Sequence, residues 1–85
     1  MRLFSWMWNE QMNEMLTADG FDDAIIGYTY DIATSGNRMI YDFNKCVEIL
    51  MKDMTEEEAI DHMEYNVTGA YVGNNTPIFL YYHLK

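Results

Sequence analysis

Glu58 and His62 stand four residues apart, the spacing that places two side chains on neighbouring turns of one helical face. A carboxylate and an imidazole so placed could share a proton or begin a metal site. Two donors do not complete one, and Asp61 falls elsewhere on the helical wheel, so the expectation is an ordinary exposed helix pair. Cys46 and His83 offer a thiol and a base, but Cys46 lies beside an apolar helical stripe and is expected to behave as a small, partly buried hydrophobe. Residues 31–42 have the length of a calcium loop with Gly36 at its sixth position. Ala33 and Ser35 stand where ligands are needed, and the twelfth residue is Asp42 rather than a glutamate, which argues against calcium. Asn66-Val67-Thr68 has the pattern of a glycosylation acceptor, which carries weight only in a secreted protein. The sequence contains no glycine-rich phosphate loop, nucleophile elbow, paired-cysteine metal motif or His-Glu-x-x-His helix. The reading is therefore of a non-enzymatic protein with no catalytic residues, no cofactor and no metal.

Charge points to binding instead. Fourteen acidic residues against five basic ones give a net charge of −9 over 85 residues. Direct nucleic-acid binding is not expected, since it relies on Lys and Arg neutralising phosphates; attraction to basic partners is. The acidity is concentrated: residues 42–64 hold eight carboxylates against Lys45 and Lys52. Within that stretch Glu57, Asp61 and Glu64 fall at helical spacings of four and three, lining one face at intervals of about 5 to 6 Å. That separation is comparable in scale to successive phosphates, so a face built from Glu56, Glu57, Asp61 and Glu64 could occupy a basic groove as a nucleic-acid mimic. The plainer alternative is a solvated helix surface that keeps the protein dispersed.

The elements that must carry these residues follow from periodicity. Phe4, Trp8, Met12, Met15 and Leu16 recur at helical spacing with polar residues between them, which predicts an N-terminal amphipathic helix over residues 3–16, closed near Asp19-Gly20. Residues 24–30 and 38–43 alternate and predict two strands of a hairpin, with Met39, Tyr41 and Phe43 on one face and residues 31–37 as an exposed tip. Asp42 or Asn44 could cap a second helix whose stripe is Val47, Leu50, Met51 and Met54. Thr55-Glu56-Glu57-Glu58 reads as a capping box, with three carboxylates at the positive end of the helix dipole. The third helix should turn Ala59, Ile60, Met63 and Val67 inward and end by Gly69. Gly69, Gly73, Asn74 and Asn75 then turn the chain towards a last apolar strand over residues 78–82.

The expected fold is α+β: a small two-layer domain with a three-stranded, mainly antiparallel sheet and two central helices, plus the N-terminal helix. Residues 1–20 are expected to form a helical extension and 21–85 a single domain. The apolar start is interrupted by Asn9 and Glu10, so no signal peptide is expected, and no stretch approaches the length of a membrane span. The single cysteine closes no internal disulfide.

Tyr41-Asp42, residues 45–51, Glu57-Glu58-Ala59, residues 64–73 and Thr76-Pro77-Ile78-Phe79 together resemble a family of small, functionally uncharacterised proteins encoded by bacteriophages and prophages. The resemblance spans about residues 24 to 80 and is most specific at Asn66-Val67-Thr68-Gly69-Ala70-Tyr71-Val72-Gly73. It implies a phage origin and the host bacterial cytoplasm, and it supplies no activity or site residue; residues 1–20 lie beyond its pattern. The expected role is that of a phage accessory protein acting by protein–protein binding, in its sharpest form an inhibitor or DNA mimic directed at a basic host protein. The alternative is a structural or assembly protein forming a homodimer or larger homo-oligomer through Phe4, Trp6, Trp8 and Met12 of the N-terminal helix, side chains of the kind favoured at interfaces.

Overall fold

The structure is a computed structural model in which residues 4–9 and 13–82 are described. It is a mixed α+β fold with two sheets. Strands β1 (Phe4–Asn9) and β2 (Asn13–Ala18) form an antiparallel pair, with Phe4 opposite Ala18 and Trp6 opposite Leu16. A short 3-10 turn, Asp22–Ala24, leads into β3 (Ile25–Asp31) and β4 (Gly36–Asp42), followed by α1 (Phe43–Leu50) and α2 (Glu56–His62). A wide π turn, Met63–Val67, extends α2, and β5 (Ile78–Leu80) completes a second sheet of order β3-β4-β5.

Among the described residues the expected N-terminal helix is not formed; β1 and β2 occupy its place. The physical reason lies in the spacing itself. Phe4, Trp8, Met12 and Leu16 are four apart, and a period of four satisfies both the helical repeat and the two-residue repeat of a strand. Trp6, off the helical stripe, falls into line with Phe4 and Trp8 once the repeat is two, and aromatic residues favour strands. Ser5 Oγ donates to Asp19 Oδ1 at 2.6 Å and Thr17 Oγ1 to the Ser5 carbonyl at 3.1 Å, tying the open end of the pair.

The expected hairpin of β3 and β4 forms, with a bulge between Ile25 and Gly27, but its connection is the short turn of residues 32–35 rather than a tip over 31–37, and Phe43 opens α1 rather than ending the strand. Met39, Tyr41 and Phe43 are buried. The third strand corrects the expected topology: β5 runs parallel to β4, pairing Ile40 with Ile78 and Asp42 with Leu80, so the sheet is mixed. A parallel neighbour requires the chain to return to the start of β4 before pairing. Residues 68–77 make that return. Thr34 Oγ1 donates to the Asn74 carbonyl, Asn75 Nδ2 to the Asn37 carbonyl, and Arg38 Nε to the Thr76 carbonyl at 2.6 Å. These bonds fasten the returning segment beside the beginning of β4, so β5 can only run the same way. Gly36 permits the close approach, since a Cβ there would lie 2.9 Å from the Asn74 carbonyl oxygen.

One core joins these parts. Met15 and Ala18 from β2, Phe21 and Ala24 from the turn, Met39 and Tyr41 from β4, Cys46 and Val47 from α1, and Ala59, Met63 and Val67 from the α2 region pack together. Residues 15–18 therefore contribute to the same core as the rest of the chain. Tyr41 stacks on Phe79 with centroids 5.4 Å apart, and Phe43 on Tyr81 at 4.2 Å. Asp42 caps α1, accepting from the Lys45 N–H at 3.1 Å. Met51, assigned by periodicity to the apolar stripe, lies past the end of α1 and is exposed. No helix among the described residues is long and apolar enough to cross a membrane.

Candidate protein-binding face

The acidic face is organised by the start of α2. Thr55 Oγ1 accepts the Glu58 N–H at 3.2 Å, and Glu58 Oε1 accepts the Thr55 N–H at 3.0 Å, the reciprocal capping box expected from the sequence. Once the helix is set, Ala59, Met63 and Val67 point into the core and the opposite side is committed to solvent. Glu56, Glu57, Asp61 and Glu64 are all exposed. Among the described residues, the ion pairs are Arg38 with Asp31 at 2.8 Å and Lys45 with Glu48 at 3.5 Å, and neither reaches α2. The carboxylates of this ridge therefore face solvent without a cation beside them in the described chain.

The π turn carries the ridge one step further. The Thr68 N–H donates to the Met63 carbonyl at 2.7 Å, five residues back, and the wider coil leaves Tyr65 82% exposed at the end of the acidic row. Asp53, Met54, Glu58, Asp61, His62, Tyr65 and Asn66 line a groove of about 560 Å³ along this side. Asn66 Nδ2 lies 3.2 Å from His62 Nδ1. Glu58 Oε1 is engaged by its cap, and Glu58 and His62 both line the groove. No group of three or more metal-capable side chains occurs among the described residues. Tyr65 and Asp53 were not marked by sequence spacing as part of this side; the π turn, which has no clear sequence signature, brings Tyr65 there.

The other candidates resolve individually. Cys46 is fully buried, and burial, assisted by the nearby Asp42 carboxylate, pushes its thiol up to about 12, which makes it an inert core side chain. His83 lies outside the described residues. Residues 31–42 span a hairpin, and the Arg38 guanidinium bonded to Asp31 holds that carboxyl below its ordinary value. At the Gly69–Gly73 corner, Thr76 Oγ1 accepts the Val72 N–H and donates to the Gly73 carbonyl, and Gly73 adopts φ +109°, so the corner is built to return the chain. Of the aromatic set, Phe4 packs against the core and Trp6 is 55% exposed, both from β1 rather than a helix. Trp8 is placed in β1 by its backbone, and Met12 lies outside the described residues.

No family model, curated protein or solved structure matches this chain.

Proposed function

We propose that the protein is a non-enzymatic phage accessory protein that acts in the host cytoplasm by binding a basic host protein, with Glu56, Glu57, Asp61 and Glu64 as the contact ridge. The observation that carries this reading is the row of exposed carboxylates on a helix that is capped at one end and anchored in the core along its back, with no described cation paired to it. Held on a rigid element, such charges meet a basic surface without first having to be ordered, and they steer its approach from a distance. Exposed Tyr65 at the end of the row adds an aromatic face of the kind that Arg side chains stack on. In its sharpest form the ridge stands in for a run of phosphates and occupies a nucleic-acid groove.

The test begins with retention of a basic protein from host lysate on the tagged chain at low salt, followed by titration of that purified protein. The expected result is an affinity that falls with added salt and weakens about tenfold or more when Glu57, Asp61 and Glu64 are all changed to Lys. An unchanged affinity in the triple variant removes the ridge from the interface and the mimic with it.

A second reading, an assembly role with self-association, is favoured by exposed Trp6 on β1. It predicts a concentration-dependent oligomer that is lost when Trp6 and Trp8 are changed to Ala.

A further inference from the structure

β3 has β4 on one side and, among the described residues, no strand on the other. In an antiparallel pair, alternate residues turn their N–H and C=O groups away from the neighbouring strand. One row of backbone donors and acceptors along β3 therefore faces outward with no strand to take it. Only an extended chain matches such a row, and protein edges are commonly blunted against that event by Lys, Pro or a bulge. β3 contains neither Lys nor Pro, and its bulge sits at its beginning, leaving residues 27–31 in regular register.

The side chains indicate which strand fits. Tyr28 and Tyr30, 48% and 57% exposed, stand on one face of the edge. The single carboxylate of the strand, Asp31, is already engaged by Arg38. The edge thus offers no uncompensated charge to a basic segment; it is a neutral stretch in a chain of net charge −9. It is also self-complementary. An antiparallel copy with Thr29 on the two-fold axis sets Tyr28 opposite Tyr30 of the second copy, and by symmetry Tyr30 opposite Tyr28, giving two cross-strand aromatic pairs. The same register sets Asp31 of each copy opposite Gly27 of the other, where a Cβ would meet nothing within 4 Å and the space is open. We infer that the β3 edge pairs with β3 of a second copy, joining two three-stranded sheets into one continuous sheet across a two-fold axis.

A contact of this length falls short of the roughly 800 Å² per partner of a standard interface, so the association is weak. Both copies are strongly acidic, and their repulsion opposes it. Added salt screens that repulsion while leaving the backbone bonds and aromatic pairs in place, so dimerisation strengthens with salt. Binding through the acidic ridge of α2 has the opposite salt dependence, and the two interactions are separable by that sign alone.

Sedimentation equilibrium on the full chain up to about 1 mM, at about 50 and about 500 mM salt, reads the association directly. The expected result is a monomer–dimer equilibrium several-fold tighter at the higher salt and at least about tenfold weaker in Tyr28→Lys. That substitution lowers the net negative charge, so a loss cannot be ascribed to added repulsion between whole molecules. Trp6→Ala, on the other strand pair, leaves the dimer intact. Amide exchange provides the second measurement: protection of residues 27–31 rises with protein concentration in the unmodified chain. A strict monomer throughout, a dimer that survives Tyr28→Lys in a folded variant, or exchange at residues 27–31 that ignores concentration overturns the proposal. A dimer lost in Trp6→Ala overturns it as well, assigning the contact to β1.

Discussion

The Ala18 backbone N–H donates a 2.7 Å hydrogen bond to the hydroxyl oxygen of Tyr41, and both residues are fully buried. Ala18 ends β2 and Tyr41 lies near the end of β4, so this bond fastens the N-terminal strand pair to the main sheet. Tyr41→Phe keeps the ring and its stack on Phe79 but leaves a buried N–H without an acceptor. An orphaned buried donor costs about 1 to 3 kcal/mol. Urea unfolding should show a loss of that size, with the exchange protection of β2 falling first. If Tyr41→Phe is as stable as the unmodified protein, water or a shifted neighbour satisfies Ala18 and the bond is not what joins the two sheets.

The same tyrosine makes stability depend on pH at the alkaline end. Burial pushes both the Tyr41 phenol and the Cys46 thiol up to about 12, from ordinary values of 10.0 and 9.0. The folded state therefore holds protons that the unfolded chain releases at lower pH, and stability falls as pH rises wherever the unfolded state binds fewer protons. These two contributions are fully present below about pH 9 and are lost progressively between about pH 9 and 12. Unfolding free energies measured across that range should decline in the native sequence and decline less steeply in Tyr41→Phe and in Cys46→Ala. A flat alkaline profile would mean that neither group is desolvated as the fold requires.

How much of this was legible in the sequence depends on whether the deciding interaction was local. The capping box at Thr55 and Glu58, the cap of α1 by Asp42, one of the two candidates with Asn44, the alternation of Met39 and Tyr41 and the inward set of Ala59, Met63 and Val67, with Ile60 partly buried beside them, are all fixed by neighbours within a few residues. Helical spacing groups Glu57, Asp61 and Glu64 in the sequence; in the structure all three are exposed, Glu57 and Asp61 on α2 and Glu64 on the π turn that follows. The N-terminal segment was ambiguous in a definable way: residues four apart satisfy a helix and a strand alike, and the choice falls to tertiary contacts such as Ala18 with Tyr41. The direction of β5 was not legible because it is decided by bonds between residues about forty apart, Thr34 with Asn74 and Arg38 with Thr76. The exposed position of Tyr65 follows from a π turn, which periodicity at 3.6 residues does not anticipate.

The cap of α2 separates two properties that the ridge would otherwise confound, its charge and its rigidity. Thr55→Ala removes the acceptor for the Glu58 N–H but keeps the backbone N–H that donates to Glu58 Oε1, and every carboxylate of the ridge remains. Loss of an N-cap hydroxyl costs about 1 kcal/mol, and three glutamates in the first turn already favour the positive end of the helix, so α2 should fray rather than melt. The expected outcome is a stability loss of about that size, read by urea unfolding, with faster amide exchange confined to the first turn of α2. Thr55→Ser, which keeps the hydroxyl, should restore most of it. Affinity for a basic partner should weaken less than in the triple Lys variant, because long-range attraction depends on net charge and survives fraying, and only Glu57 of the three lies in the turn that frays. If Thr55→Ala costs nothing in stability or exchange, the packing of Ala59 and Met63 against the core holds the helix alone and the capping box is redundant.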